Sequence, residues 1–513
     1  MLHNSSNEVD VLIVGAGPVG LFLAHECVRR GLRCRIIEAQ AGQSVHSKAL
    51  AIFPRTLEIF DMAGLAPDFL QVANRVRSVG VMSHDRALAR IRFEPNDTPY
   101  PFVSMVPQNI TEELLVKALK RRDHEVQYNT RFISMEQSLD GVSVTIERNG
   151  NAETIRSAFV VGCDGAHSSV RKSLGIKLDG GEYDMPFMLA DIETADELSA
   201  DELQLCSSTH GPIAIFPMSA KRFRVVATVD QAEADAPSLE FTQRLLAERA
   251  PQGIHADKLH WSSYFRIHHR HASRLRSGRI FIAGDAAHIH SPFGGQGMNT
   301  GLHDIWNLIW KLELALRESG SDLLLDSYSE ERLPIIQNVI ETTDRLTKAL
   351  GTPNTLAQIL RESLIPVASH IPAFRHAMVE RLSGLGVAYS GSLIHGSGKR
   401  VFEDCMRDGQ LSEARFLLFI SEDVDSSFLH AANSLAAALD GLLIVRQSQV
   451  EGIRLVRPDG YAAFSAPASH SRDAMQIVSA LLNKMLNRGD LGATKDLEHA
   501  FTDTSNQGER RLS

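Results

Sequence analysis

Residues 9–38 read VDVLIVGAGPVGLFLAHECVRRGLRCRIIE, and this stretch decides the fold. Val9 to Val14 is a short apolar run rich in β-branched residues. Leu21 to Arg30 carries helical spacing, and Arg33 to Glu38 is a second strand, so the chain opens on a β-α-β unit. Gly15, Gly17 and Gly20 form GxGxxG at the strand-to-helix turn, with Pro18 and Val19 inside it. The first glycine makes the tight turn. The second lets the backbone approach a pyrophosphate, and the third lets helix and strand pack closely. The helix N-terminus turns positive partial charge toward the phosphates. Glu38, followed by Ala39, ends the second strand, where a carboxylate accepts hydrogen bonds from a ribose and repels a 2′-phosphate. The unit therefore reads as a dinucleotide site suited to FAD or NAD.

The rest of the chain is consistent with a globular enzyme. It has 513 residues, 43% hydrophobic and 22% charged, which excludes a disordered or fibrous chain and allows several domains. A formal net charge of −9 argues against nucleic-acid or anionic-membrane binding. The five cysteines (Cys27, Cys34, Cys163, Cys206 and Cys405) include no CxxC pair, so neither a disulfide framework nor a zinc site is expected. The start, MLHNSSNEVD, lacks a secretory pattern. No apolar stretch reaches membrane-spanning length, and a cytoplasmic location is expected.

Further along, strands are expected at Val142 to Glu147, Thr154 to Val161, Ile213 to Pro217, Arg222 to Val229 and Arg279 to Ala283. Helices are expected at Glu112 to Lys120 and Met298 to Arg317. The segment 346–390 has a helical pattern. After Gly396, strand-like runs at Arg415 to Ile420, Leu442 to Val445 and Gly452 to Val456 alternate with a helix at Asn433 to Leu439, a βαβ-like separate domain.

Two more segments narrow the cofactor. They are VGCDGAHSSVR (161–171) and GRIFIAGDAAH (278–288), the latter continuing through Pro292 and GGQGMN (294–299) to Asp304 and Trp310-Lys311-Leu312. Asp285 follows a strand and a glycine, at the strand end where ligands bind in open α/β sheets. There it can accept from ribityl hydroxyls, which NAD lacks. Its structural alternative is an N-cap. Gly294 to Asn299 opens a long helix whose free amides would face the pyrimidine edge of a reduced flavin. With these three ordered motifs the chain resembles FAD-dependent aromatic-ring monooxygenases of the para-hydroxybenzoate hydroxylase fold. It is most similar to the branch of phenol, hydroxyphenylpropionate and polyketide hydroxylases, over roughly 1–345 and more weakly over 391–490.

The resemblance implies an α/β fold: a Rossmann-like FAD-binding domain (1–180 and 279–345) with an inserted mixed β-sheet substrate domain (181–278). A helical linker (346–390), a C-terminal thioredoxin-like domain (391–490) and a polar tail (491–513) follow. It implies FAD as cofactor and NADH or NADPH as a transient reductant, since no second GxGxxG exists. It implies O2 and an aromatic small molecule as substrates, with oxygen delivered through a flavin hydroperoxide to a phenolic ring. The FAD set it implies comprises Gly15, Gly17, Pro18, Val19, Gly20, Glu38, Ala39, Lys48, Arg55, Gln108, Asp164, Gly165, Arg171, Gly284, Asp285, Pro292, Gly295, Gly297, Met298 and Asn299. Lys48 stands where arginine is common and lacks its bidentate fork. Arg171 reads alternatively as a helix cap.

His210, Phe216, Pro217, Met218, Tyr264, Phe293 and Gly294 are candidates for the ring site. Pro292, Tyr264 and His210 are the candidate catalytic residues. Phe216 and Pro217 read equally as core, and Tyr264 as a packed strand tyrosine. The basic stretch Arg266 to Arg279 reads mainly as a solvated surface loop, the alternative being attraction of an anionic substrate or of NAD(P)H phosphates. His288 reads as structural, and His290 as a residue that could reach the ring. YSEERLP (Tyr328, Glu331, Arg332, Pro334) reads as structural. RPDGYAAF (457–464) fits the C-terminal domain, whose single Cys405 leaves packing or contacts in a homodimer as its role. The alternatives are a same-fold halogenase, epoxidase or reductase, and a non-catalytic FAD-binding protein. The only tryptophans are Trp261, Trp306 and Trp310, so the halogenase WxWxIP element is missing.

Overall fold

The computed structural model describes residues 8–44, 49–83, 86–93, 98–182, 185–208, 210–232, 235–266, 268–289, 295–317, 320–351, 366, 370–407, 409, 413–448 and 451–487. They form two compact units. One comprises 1–28, 33–305 and 333–386; the other comprises 29–32, 306–332 and 387–513.

The first unit opens on strand β1 (Glu8–Val14), helix α1 (Pro18–Arg29) and edge strand β2 (Cys34–Ile37). Helix α1 starts at Pro18, three residues before the apolar periodicity begins. A proline at a first helical position has no amide to leave unsatisfied. The sheet order is Arg276–Ser277, Ile280–Ile282, Asn151–Gly162, β1, β2, and the last four strands run parallel. All four therefore point their C-terminal ends to one edge, the side on which open α/β sheets bind ligands.

The second sheet has seven strands. Their order is Lys258–Phe265, Phe187–Glu193, Arg222–Thr228, Ile213–Pro217, Glu202–Ser207, Ser78–Ser83 and Arg86–Arg92. It is wider than the 181–278 segment, because Ser78–Ser83 pairs in parallel with Glu202–Ser207. One face packs Leu189, Phe216 and Val226 with Ala51, Phe53 and Met105. The opposite face packs Met188, Ile215, Phe223 and Val225 with Leu245 and Leu246 of helix Leu239–Arg249.

The basic stretch is not a loop. His268–Ala272 is a strand between Leu178–Glu182 and His288–Ile289. Arg279 donates to Leu139 O at 2.9 Å and lies over the Phe159 ring. Backbone pairing organises this segment although its side chains are polar.

The second unit contains a four-stranded sheet in the order Leu443–Ser448, Phe416–Ser421, Ile453–Val456, Ala462–Ala466. The first two strands are parallel and joined by helix Ser426–Ala438. The others are antiparallel, and helix Ser471–Leu486 follows. A charged network is buried in this unit. Arg457 donates to both carboxylate oxygens of Glu331, at 2.6 and 3.0 Å, and through Nε to Asp459 at 3.0 Å. Lys311 Nζ donates to the same Glu331 at 3.0 Å and to Asn307 at 2.9 Å. The Arg457 guanidinium lies 5.2 Å from both the Trp310 and Tyr389 ring centres. Burial alone would raise the Glu331 carboxyl, but Arg457 and then Lys311 hold it at about 2. Burial brings Lys311 down to about 8 against the pull of Glu331. Arg30 Nη1 donates to Glu313 at 2.8 Å, and both side chains are buried. Among the described residues, no helix is long and apolar enough to cross a membrane.

Candidate active site

The three glycine-containing segments meet at the C-terminal edge of the parallel strands. Gly15 has φ +104°, and a Cβ there would sit 2.4 Å from Cys163 O. A Cβ on Gly20 would sit 2.0 Å from Gly15 O, so the helix can start against the turn only if this residue has no side chain. A Cβ on Gly17, by contrast, would meet nothing within 4 Å. Val19 lies against the third segment at two points, while Cys163 of the second meets Gly15. A Cβ on Gly284 would lie 3.0 Å from its Cγ2, and one on Gly301 would lie 2.6 Å from it.

Glu38 stands beside the turn. One carboxylate oxygen accepts from Ala16 N and the other from Gln40 N, both at 2.9 Å. Ala39 is exposed. Glu112 lies close enough for burial, and then the Glu38 charge, to raise its carboxyl, while hydrogen bonds from Gln108 and Ser44 oppose the rise. Burial, then Glu112 and Glu38, raise the Tyr128 phenol. Gln108 bridges this group to the following loop: its Nε2 donates to Glu112 at 3.0 Å, and its Oε1 accepts from Ala49 N at 3.2 Å.

Asp164 caps helix Ser169–Ser173, its Oδ2 accepting from Ser169 N at 2.6 Å and Val170 N at 3.2 Å. Its Oδ1 is buried without a hydrogen-bond partner among the described residues. Gly165, next to it, has φ +74°. Arg171 spans two segments, donating to Ala286 O at 2.9 Å and Ala166 O at 3.0 Å. Burial lowers its pKa, with Asp164 opposing. Gly284, at φ +59°, donates its amide to Asp304 Oδ2 at 3.1 Å, and the same oxygen pairs with His288 Nε2 at 2.7 Å. Asp285 is exposed beside them.

Gly297 and Met298 open helix Gly297–Arg317, and Gly295 precedes it at φ +60°. The Asn299 amide is committed to the backbone and to one side chain. It accepts from Phe53 N at 3.0 Å and Thr56 Oγ1 at 2.7 Å, and donates to Ala51 O at 2.9 Å and Gly295 O at 3.0 Å. Arg55 is fully buried and pairs with Glu58 at 2.9 Å. Lys48, His290, Pro292, Phe293 and Gly294 lie outside the described residues.

The ring-site candidates divide between the two faces of the second sheet. Phe216 is buried on the face shared with Phe53 and Met105, and Met218 packs at its margin. Tyr264 faces the other way, edge-on to Phe241 at 6.3 Å. Side chains alternate along a strand, so Trp261 and Phe265 join the Phe216 face in its place. Pro217 is buried, its carbonyl accepting from Asn74 at 2.9 Å. His210 is exposed in the turn before Ile213–Pro217. Thus Tyr264 and His210 are not brought to the face that carries Phe216.

Arg224, directly opposite Phe216, holds both oxygens of Asp191 at 2.7 and 2.8 Å and donates to Ala49 O at 3.3 Å. Sequence reading missed this pair, Trp261 and Phe265. The alternation in RFRVVAT (222–228) signals Arg224, because Arg222 and Arg224 must share a face.

A family model described as "FAD binding domain" matches residues 8–343. The chain is 35% identical to 6-methylpretetramide 4-monooxygenase of Streptomyces rimosus over 406 residues, covering 76% of this chain and 71% of that protein. It is 33% identical to a 12-dehydrotetracycline 5-monooxygenase/anhydrotetracycline 6-monooxygenase of Streptomyces rimosus subsp. rimosus, covering 91% and 97% of the two chains. The solved OxyS anhydrotetracycline hydroxylase from Streptomyces rimosus superposes with a TM-score of 0.76 at 30% identity, covering 94% of this chain and 99% of that one. The chain belongs to this FAD-binding-domain family, that of the FAD-dependent aromatic monooxygenases.

Proposed function

We propose that this chain uses FAD, NAD(P)H and O2 to hydroxylate an uncharged polycyclic phenol held against the Phe216 face of the second sheet. The observation that carries the proposal is the meeting of the three glycine segments at one edge of the parallel strands, with an aromatic apolar face elsewhere in the same unit.

The donor set fits FAD. The open space at Gly17 leaves the first amides of α1 accessible to a pyrophosphate. Glu38 keeps spare lone pairs for ribose hydroxyls, and Asp285 is exposed at a strand end. The buried, unpartnered Asp164 Oδ1 is a further acceptor. Arg171, Arg55 and Asn299 act in this reading by fixing the backbone that carries the site. When bound and reduced, FAD would activate O2, which is the source of the oxygen atom placed on the ring. Phe216, Trp261 and Phe265 hold the ring flat and exclude water. Arg224 is engaged by Asp191, so a benzoate-type anion finds no ready partner in it, which favours a neutral ring system. The tetracycline-type compounds in the relatives' names fit that chemistry. No base is assigned to Tyr264 or His210.

We divide the chain as a FAD domain (1–180, 279–345), a substrate sheet (181–278, joined by 78–92), a helical linker, and a thioredoxin-like packing domain (391–490). The βαββα order after Phe416 supports the last of these. A cytoplasmic protein, a homodimer through that domain, and no nucleic-acid or membrane partner complete the reading.

The test is NAD(P)H oxidation by the yellow protein against tetracyclic phenols, simple phenols and hydroxybenzoates, with peroxide monitored. Tetracyclic phenols should stimulate oxidation with little peroxide. Coupled turnover only with simple phenols or hydroxybenzoates would overturn the substrate class.

A further inference from the structure

Away from the site, two thiols and an imidazole meet. Cys27 lies near the end of α1, Cys34 is the first residue of edge strand β2, and His124 follows helix Gln108–Lys120. Cys34 Sγ is 3.5 Å from His124 Nε2 and is hydrogen-bonded to the Cys27 thiol. Cys34 is 7% exposed, and its neighbour Arg33 is exposed, so this strand end lies next to solvent. The Cys27 hydrogen bond lowers the Cys34 thiol to about 6, with burial opposing and His124 assisting. In return Cys34 raises the His124 imidazole. Cys163, Cys206 and Cys405 are each raised by burial instead, Cys206 to about 12.

We propose that Cys34 is a peroxide-sensitive thiol that closes onto Cys27 as a disulfide. The oxidant is hydrogen peroxide, the product of this enzyme class when NAD(P)H is consumed without hydroxylation. The Cys34 thiolate attacks one peroxide oxygen. The S–O bond forms, the O–O bond breaks, and the departing hydroxide takes a proton from the His124 imidazolium to leave as water. The Cys27 sulfur then attacks the sulfenic sulfur. The S–S bond forms, the S–O bond breaks, and the second water carries away the Cys27 proton. Overall, one peroxide and two thiols give one disulfide and two waters. The cross-link would pin α1 to β2, the elements that carry the glycine turn and Glu38.

The experiment treats the FAD-loaded enzyme with hydrogen peroxide and maps it with a protease that cuts after glutamate. Both cysteines lie in one product, residues 27–38. That peptide should become lighter by two hydrogens, reversibly with dithiothreitol. In C27S a dimedone adduct should be trapped on Cys34, and in H124Q the oxidation rate at pH 7 should fall about tenfold. The proposal fails if Cys163 or Cys405 is oxidised first while 27–38 stays reduced. It fails equally if H124Q leaves the rate unchanged.

Discussion

Replacing Glu331 by glutamine removes the charge on which Arg457 and Lys311 both converge. A carboxyl held at about 2, against its ordinary 4.5, contributes about 3 kcal/mol. Because its pKa is depressed on folding, that stability is present above pH 4.5 and is lost as pH falls toward 2. Removing one partner of a buried pair costs about 3–5 kcal/mol in all, because the remaining charges stay buried. Lys311 gives the opposite sign. Its pKa is lowered from 10.5 to about 8, so at pH 7 its charge is a cost that is relieved as pH rises from 8 to 10.5. Lys311→Met should therefore change stability by less than about 1 kcal/mol and abolish the alkaline gain. Calorimetry with tryptophan emission is the assay, since Trp306 and Trp310 both lie in this unit. Glu331→Gln should lower its melting temperature by roughly 6–20 °C. Equal losses in the two variants, or a loss below about 1 kcal/mol for Glu331→Gln, would refute the reasoning.

Gly17→Ala should leave the apoprotein's melting temperature within about 1 °C of the parent while weakening FAD binding, as a flavin titration would reveal. Gly20→Ala, which would place a methyl 2.0 Å from a carbonyl oxygen, should yield little folded protein by circular dichroism. Asp285→Ala should lose most FAD, read as the flavin-to-protein absorbance ratio after purification. Glu38→Ala should weaken FAD binding about tenfold without abolishing it, measured by fluorescence quenching on titration.

The glycine turn was legible because what it needs is local. Gly15 and Gly20 are required by contacts within the segment or with the strand beside it; the strand ends where the pattern puts it, and the helix starts three residues before the periodicity does. The second sheet was only half legible. Its parallel pairing with Ser78–Ser83 joins residues about 120 positions apart, and no local pattern encodes that partner. Alternation in WSSYF (261–265) separates Tyr264 from Trp261 and Phe265, but it does not say which face meets Phe216. The basic stretch hid a strand because its cross-strand partners, Leu178–Glu182, are themselves polar and glycine-rich. The two C-terminal motifs were visible separately. That Glu331 of one is the counter-ion of Arg457 in the other follows only from tertiary packing.

Residues 29–32 belong to the unit otherwise built from the last part of the chain, and Arg30 finds its counter-ion, Glu313, 283 residues later. On a ribosome adding roughly 5–20 residues per second, that interval is about 15–60 s. Throughout it, an arginine destined for burial stands without its carboxylate, and Glu331 then waits a further 126 residues for Arg457. The unit can therefore assemble only once residues as far as Arg457 have been made, so a long interval of unpaired charge is built into the order of the sequence.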